Sequence, residues 1–287
     1  MSQTYQVTGI NLKGMPMGER DRLLTILTPE YGLIQAVAGG ARKYQSRLRG
    51  RSELFVVNQL LLVKGRSSLY RLTQAETQHT YSQLSQNLGK LAISQYLAEI
   101  VLCFALSEQP QAELFALFCE HLHRIENAYV TSHNQTETLL PLLNQGIFHL
   151  LSLAGIAPQL NYCCLTQTPL MINEGDPQWC IGFSYQAGGI ISPQEEIQHS
   201  PLVNHVLNVG QLKLLQQLSQ SQLPHGLTKE VANLQTIEKL LRNYTQYHFH
   251  RSIRAASLVD TLFNAHSGVA NSINYPYKNE AIRTRTS

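Results

Sequence analysis

Between Gly39 and Arg51 the sequence reads Gly-Gly-Ala-Arg-Lys-Tyr-Gln-Ser-Arg-Leu-Arg-Gly-Arg. That stretch holds five cations, Arg42, Lys43, Arg47, Arg49 and Arg51, and one aromatic ring, Tyr44. Cations at this density suit a polymer of phosphates, because each contact releases condensed counterions. The two glycines let the backbone turn freely where the cations begin. Lys64, Arg66 and Arg71 add positive charge shortly afterwards, and Tyr44, Phe55 and Tyr70 are rings on which bases could stack. The plainer reading of the same residues is a solvated basic loop.

Other arrangements carry less chemistry. Glu19 and Asp21, flanked by Arg20 and Arg22, would make a carboxylate pair for magnesium, but alternating charge over one turn more often forms local ion pairs. His205, His225, His248, His250 and His266 invite a metal reading, yet they lie on or beside amphipathic helical stretches where hydrogen-bonded or solvated histidines are the ordinary outcome. The sequence contains no phosphate-binding loop ending in Gly-Lys-Ser/Thr, no Gly-x-Ser-x-Gly elbow and no His-Glu-x-x-His. The segment Gly14-Met15-Pro16-Met17-Gly18 reads as a turn.

The elements that must position the basic stretch are short strands. Tyr5 to Leu12, Leu23 to Leu27, Leu33 to Ala38, Phe55 to Val63 and Leu69 to Thr73 are separated by turn signals, the last pair by Lys64-Gly65-Arg66-Ser67-Ser68. Five short strands in about 80 residues suit a small closed barrel of the OB type, with the basic stretch as the loop between its third and fourth strands. From about Tyr81 the apolar period becomes helical, over Leu84 to Phe104, Ala112 to Tyr129 and Glu137 to Leu153. Residues 158 to 198 lose that period and form a small irregular lobe, in which Trp179, Ile181, Phe183 and Tyr185 alternate as a hairpin strand would. Helices resume over Leu202 to Leu218 and Thr228 to about Leu262, with Pro224 and Gly226 between, and the polar tail from His266 reads as disordered. The expectation is an α+β chain: OB domain 1–80, helical domain 81–262 including the lobe, and tail 263–287.

Charge follows the same division. The first 80 residues carry eleven Lys or Arg against five acids, while the other 207 carry eleven against fourteen, so the overall +3 conceals a basic domain joined to a mildly acidic one. The first is expected to meet a polyanion and the second a protein. No window approaches a membrane span and no leader pattern is present, which points to a cytoplasmic protein. The odd cysteine count, five, is no secreted disulfide framework, and Cys103 and Cys119 fall in apolar helical contexts as core residues.

In order along the chain, Gly18-Glu19-x-Asp21 before an apolar strand, Thr28 to Gly32, Ala38 to Lys43, and then Gly155, Pro158 and Leu160 ahead of a cysteine-containing lobe with Phe183 and Gly188-Gly189 resemble the RecO family of the bacterial RecFOR recombination pathway. The resemblance runs over roughly residues 5 to 262. It implies an OB domain followed by a helical domain with a small zinc lobe. It also implies binding of single- and double-stranded DNA, annealing of complementary strands and, together with RecR, help in loading RecA onto DNA coated by single-strand-binding protein, in the cytoplasm at the nucleoid. Arg42, Lys43, Arg47, Arg49 and Arg51 fall where the family's DNA-contacting loop would be. Arg124, on the helix that carries Leu117 and Leu122, would offer a cation to the acidic C-terminal tail of single-strand-binding protein.

The zinc pattern is degenerate. Members that bind zinc use two Cys-x-x-Cys pairs; here Cys163 is followed by Thr166, and the second pair is replaced by Ser192 and Glu195. Cys164 and Cys180 do not restore the spacing, although a site from Cys163, Cys164, Cys180 and a histidine stays open as an alternative. No cofactor is expected, nor any catalytic residue. Two rival functions stand beside the DNA-binding mediator: a metal-dependent nuclease using Glu19, Asp21 or the histidines, and a protein-only scaffold whose basic loop meets an acidic partner.

Overall fold

The structure, a computed structural model, describes residues 4–65, 69–192, 202–223 and 230–263. Its first part is a closed five-stranded barrel of β1 (Thr4–Met17), β2 (Asp21–Thr28), β3 (Gly32–Ala38), β4 (Val56–Lys64) and β5 (Tyr70–Thr80), in the order β1-β2-β3-β5-β4. All neighbours are antiparallel except β3 and β5. Alternation builds the interior: in β3, Ile34, Ala36 and Ala38 are buried while Gln35 between them is exposed. The expected OB-type barrel is therefore present, with two strands longer than the sequence suggests. β1 continues through Gly14 and Pro16, which pair with Leu24 and Arg22, so the expected turn there is a strand and the turn falls at residues 18–20. Pro16 is tolerated because β4 pairs only with Thr4 to Ile10, leaving that side of β1 without a partner that needs the missing N–H. β5 runs on to Thr80 although Glu76 to Thr80 are exposed; ladder pairing with β4, rather than burial, holds this extension.

The second part packs α1 (Leu88–Phe104), α2 (Ala112–Asn127) and α3 (Gln135–Leu153) with α4 (Val209–Leu218), α5 (Val231–Phe249) and α6 (Ala256–Phe263). Asn87 caps α1 by accepting from the backbone N–H of Lys90 at 2.9 Å. Two helical expectations are corrected. The stretch from Leu202 is not helical at its start: His205–Asn208 forms β8, and the helix begins only at Val209, where Asn208 and Gln211 make a capping box. The long final helix is broken, since α5 ends at His250 in a left-handed cap (φ 50°) and the chain restarts as α6. The lobe is more regular than its composition implies. β6 (Cys180–Ser184), β7 (Gly189–Ile191) and β8 form an antiparallel sheet in the order β7-β6-β8. As the alternation of Ile181 and Phe183 requires, both are fully buried, and Phe183 packs edge-on against Tyr185 and Tyr244. This arrangement does not confirm the small zinc lobe that the family resemblance implies.

The barrel has its own core around Leu24, Ile26, Ile34 and Leu60, whereas Ile10, Leu27, Phe55 and Val57 at one end join the helical core. Gly32 shows how close the two parts come. Its φ is +63°, and a Cβ there would lie 2.1 Å from the carbonyl oxygen of Leu106. Beside it, the N–H of Leu33 donates to that same oxygen at 2.8 Å. Within the helical part, the Tyr96 hydroxyl donates to buried Glu238 at 2.9 Å, and Arg242 bridges Glu238 and Asp260 at 2.6 and 2.7 Å. This chain of partners fixes α1 against α5 and α6 without leaving the buried Glu238 charge unpaired.

Candidate nucleic-acid interface

The basic stretch is a series of linked turns between β3 and β4. The N–H groups of Lys43, Ser46 and Arg49 donate to the carbonyls of Gly40, Lys43 and Ser46 at 3.0–3.1 Å, and Gly50–Ser52 forms one turn of 3-10 helix. Its start is tied to the β1–β2 turn. Asp21 accepts from the N–H of Gly40 at 2.8 Å, the N–H of Arg42 donates to the carbonyl of Arg20 at 2.9 Å, and the Arg42 guanidinium donates to the carbonyl of Gly18 at 2.7 Å. Its end is held from inside the barrel: the buried amides of Asn11 and Asn58 both donate to the carbonyl of Arg51, at 2.8 and 2.9 Å. Arg22 closes the base by donating to Ser52 and pairing with Glu53 at 2.8 Å.

On this frame Arg42, Lys43, Arg47 and Arg49 are exposed and Arg51 is half-buried. Tyr44 is 87% exposed, and the Arg49 guanidinium sits 5.6 Å from its ring centroid. Gly39, Gly40, Lys43, Tyr44, Gln45 and Ser46 line an open groove of about 580 Å3. The fold thus gathers one aromatic face and several cations on a single ordered loop.

The other rings do not share that face. Phe55 is 2% exposed and turned into the helical core, 6.2 Å from the ring of Phe118, with its backbone in the left-handed region (φ 59°). Such a conformation is costly for a bulky residue and is retained because the surroundings over-determine it. Tyr70 is 6% exposed and stands edge-on to Tyr5. Both are therefore corrected from candidate stacking platforms to packing residues. Lys64 is drawn away from the loop, paired with Glu108 at 2.6 Å and 5.5 Å from the Tyr70 ring centroid; the hydrogen bond to Glu108 and the neighbouring Tyr70 raise its pKa. Arg71 is exposed on the barrel wall opposite Val37 of β3. Arg66 lies outside the described residues.

Arg124 is engaged on three sides. It pairs with Glu120 at 2.8 Å and donates to the Gln145 side chain at 3.1 Å and the carbonyl of Ser221 at 2.9 Å, while Leu122 is fully buried in the core. Its evident work is to tie α2 to α3 and to the segment after α4.

The carboxylate pair does not assemble, because Asp21 is committed to the loop and Glu19 is exposed on the turn. His205 and His248 pack against tyrosine rings, and burial lowers the pKa of each; His225 and His266 lie outside the described residues. In the lobe, Cys163 Sγ accepts from the N–H of Ser192 at 3.2 Å. Burial pushes this thiol up, but hydrogen bonds from Thr166, Ser192 and Leu165 outweigh it and leave the pKa below the ordinary value. Among the described residues no group of three or more His, Cys, Asp or Glu is placed to hold a metal ion. Cys103 and Cys119 are half-buried against the helical core, and burial raises both thiols. No helix among the described residues is long and apolar enough to cross a membrane.

Sequence reasoning passed over the residues that hold the loop: Asp21 as an anchor, Arg22, and the two asparagines. A signal for the last pair existed, since Asn11 and Asn58 interrupt apolar strands and a buried amide must find partners.

Two family models match the chain: Recombination protein O N terminal over residues 1–81 and Recombination protein O C terminal over residues 85–256. Relatives named DNA repair protein RecO include one from Gloeothece citriformis, 52% identical over 91% of this chain and 98% of its own length. Another, from Trichodesmium erythraeum, is 50% identical over 94% of this chain and 99% of its own, and one from a Nostoc species is 46% identical over 92% and 98%. With both models matched across the barrel and the helical part, the chain belongs to the RecO family.

Proposed function

We propose that this protein is a DNA-binding recombination mediator in DNA repair, which holds DNA on the barrel loop and brings complementary strands together without chemical turnover. The observation that carries the reading is the ordered Gly39–Arg51 loop, with Arg42, Lys43, Arg47 and Arg49 exposed beside the open ring of Tyr44. Cations on a fixed frame meet successive phosphates of either single- or double-stranded DNA without reading sequence, and an exposed ring adds stacking that only unpaired bases can accept. A surface that holds both forms chiefly through their phosphates favours annealing, because the backbone contacts persist as the pair forms and only the weak stacking on one ring is given up. The family's pathway supplies the remaining roles: with RecR, and by meeting the acidic tail of single-strand-binding protein, the protein helps RecA load onto coated DNA.

The nuclease reading is disfavoured because Asp21, the better placed of its two acids, already accepts the N–H of Gly40. The test is binding of a fluorescent single-stranded oligonucleotide across a salt series, by the wild type and by a variant with Arg42, Lys43, Arg47, Arg49 and Arg51 changed to Ala. The wild type is expected to weaken with a slope of about 0.7 per phosphate on single strands, and the variant to lose most of both affinity and slope. Equal binding by the two proteins, or a shallow slope in the wild type, would reject the loop as the DNA site. Annealing in the presence of a chelator, without cleavage, separates the mediator from the nuclease.

A further inference from the structure

A second basic surface opens where the barrel meets the helices. A cleft of about 450 Å3 has Leu12, Leu54, Ala98 and Leu102 among its lining, and Lys13, Arg251 and Arg254 also border it. All three cations are exposed, and none is in an ion pair among the described residues. The acid in the cleft is Glu99, whose carboxylate accepts from the N–H of Ala255 at 3.1 Å, so positive charge prevails. Gln95 adds an amide.

The cleft begins where the basic loop ends. Leu54 lies three residues past Arg51, and Gly14, on the cleft wall, would bring a Cβ to 3.4 Å from the Arg22 side chain that holds Ser52 and Glu53. We propose that this cleft continues the DNA track, and that a single strand leaving the loop lays its phosphates along Lys13, Arg251 and Arg254 with a base against the apolar floor. The inference rests on the loop being the DNA site. Single-stranded DNA is the occupant that matches both halves of the lining. An apolar floor rimmed by cations suits an unpaired base carrying its phosphate, whereas duplex keeps its bases stacked inside and offers only backbone. Two parts of the protein would then hold one strand, so its path across their junction would be set by the fold.

The experiment compares labelled oligothymidylates of about 8 and about 25 nucleotides, the shorter within reach of one barrel and the longer able to reach the cleft as well. The proteins are the wild type, the five-alanine loop variant, the double variant Lys13→Gln/Arg254→Gln, and the same double with Arg251→Gln added. Arg251 donates to the carbonyl of Leu102 at 3.0 Å, so the double variant, which spares it, guards against a folding artefact, as do melting curves for all four. For the 25-mer the double variant should bind about tenfold more weakly at moderate salt and lose about 1.4 from the salt slope, two phosphates at 0.7 each, while the 8-mer binds as to wild type. Unchanged binding of the 25-mer by a folded double variant overturns the cleft while leaving the loop reading intact if the loop variant fails to bind. Binding by the loop variant equal to wild type rejects the loop instead. Loss of an acidic, apolar-ended peptide with DNA binding unaltered would also overturn the proposal and assign the cleft to a protein partner.

Discussion

Asp21 accepts a 2.8 Å hydrogen bond from the backbone N–H of Gly40, joining the start of β2 to the first turn of the basic loop. The acid touches none of the five cations in an ion pair among the described residues; it fixes the backbone from which they project. Asp21→Ala should therefore cost about 1 kcal/mol of stability, the net worth of one such bond. It should weaken DNA binding several-fold through loss of loop order, yet leave the salt slope near the wild-type value because every cation remains. A tighter complex, as removal of a repelling carboxylate would give, speaks against the anchoring role. The same titration against salt that tests the loop cations reads this outcome.

Tyr44 is the exposed ring of the loop. Stacking of one base on such a ring contributes about 1–3 kcal/mol, so Tyr44→Ala should reduce affinity for single strands by about 5- to 150-fold with the slope unchanged. Tyr44→Phe should bind nearly as wild type, and affinity for duplex should respond little to either substitution. Equal losses on single-stranded and duplex DNA would mean that the ring only shapes the loop. Oligonucleotide binding by anisotropy distinguishes these results.

The barrel was legible because strand alternation and turn residues are local signals, and five runs of this kind leave few architectures open. What escaped depends on partners far away in the chain. β5 outlasts its apolar pattern because β4 offers a ladder to it, and Pro16 sits inside β1 where β2 pairs on one side and β4 no longer reaches the other. The run from Leu202 has enough leucine for a helix, yet His205–Asn208 pair beside β6 as β8 and the helix waits for the capping box at Asn208. At the site the cations could be read from composition, but the burial of Phe55 and Tyr70 could not: the face that Tyr70 presents in β5 is set by its neighbours, and Phe55 is turned inward by a left-handed backbone just ahead of β4. The anchors Asn11 and Asn58 share one carbonyl across separations of 40 and 7 residues, a relation invisible in spacing.

In the lobe, Cys163 is satisfied by the N–H of Ser192 and by Thr166, where the family's zinc-binding members place further thiolates. A chelator is expected to leave the melting temperature and DNA binding unchanged, and Cys163→Ser to cost about 1 kcal/mol, because a hydroxyl accepts the same N–H. Zinc found in stoichiometric amount by elemental analysis, or a fall in melting temperature on chelation, would show that residues such as Cys164 and Cys180 complete a site after all. The lobe would then owe part of its stability to metal and not to the packing of Phe183 against Tyr185 and Tyr244 alone.

Acid stability should depend on a histidine pair. His121 Nε2 and His149 Nδ1 are 3.2 Å apart, and His149 Nε2 lies 3.0 Å from the carbonyl of Gln220. That carbonyl can only accept, so His149 carries its proton on Nε2 and takes one from His121 at Nδ1, with both rings neutral. Burial, then the neighbouring His149 and Arg124, push the His121 pKa from 6.5 down to about 3, and burial also lowers that of His149. The unfolded chain protonates these rings near their ordinary value while the folded chain does not. Their contribution is therefore fully present above about pH 6.5 and is lost as pH falls from there toward the folded pKa. His121→Gln removes one titrating ring, so denaturant unfolding between pH 7 and 5 should show a stability curve flatter than the wild type's by up to about 1.4 kcal/mol per pH unit. Parallel curves would mean that His121 takes up its proton equally in both states, and the neutral pair between α2 and α3 would have to be abandoned.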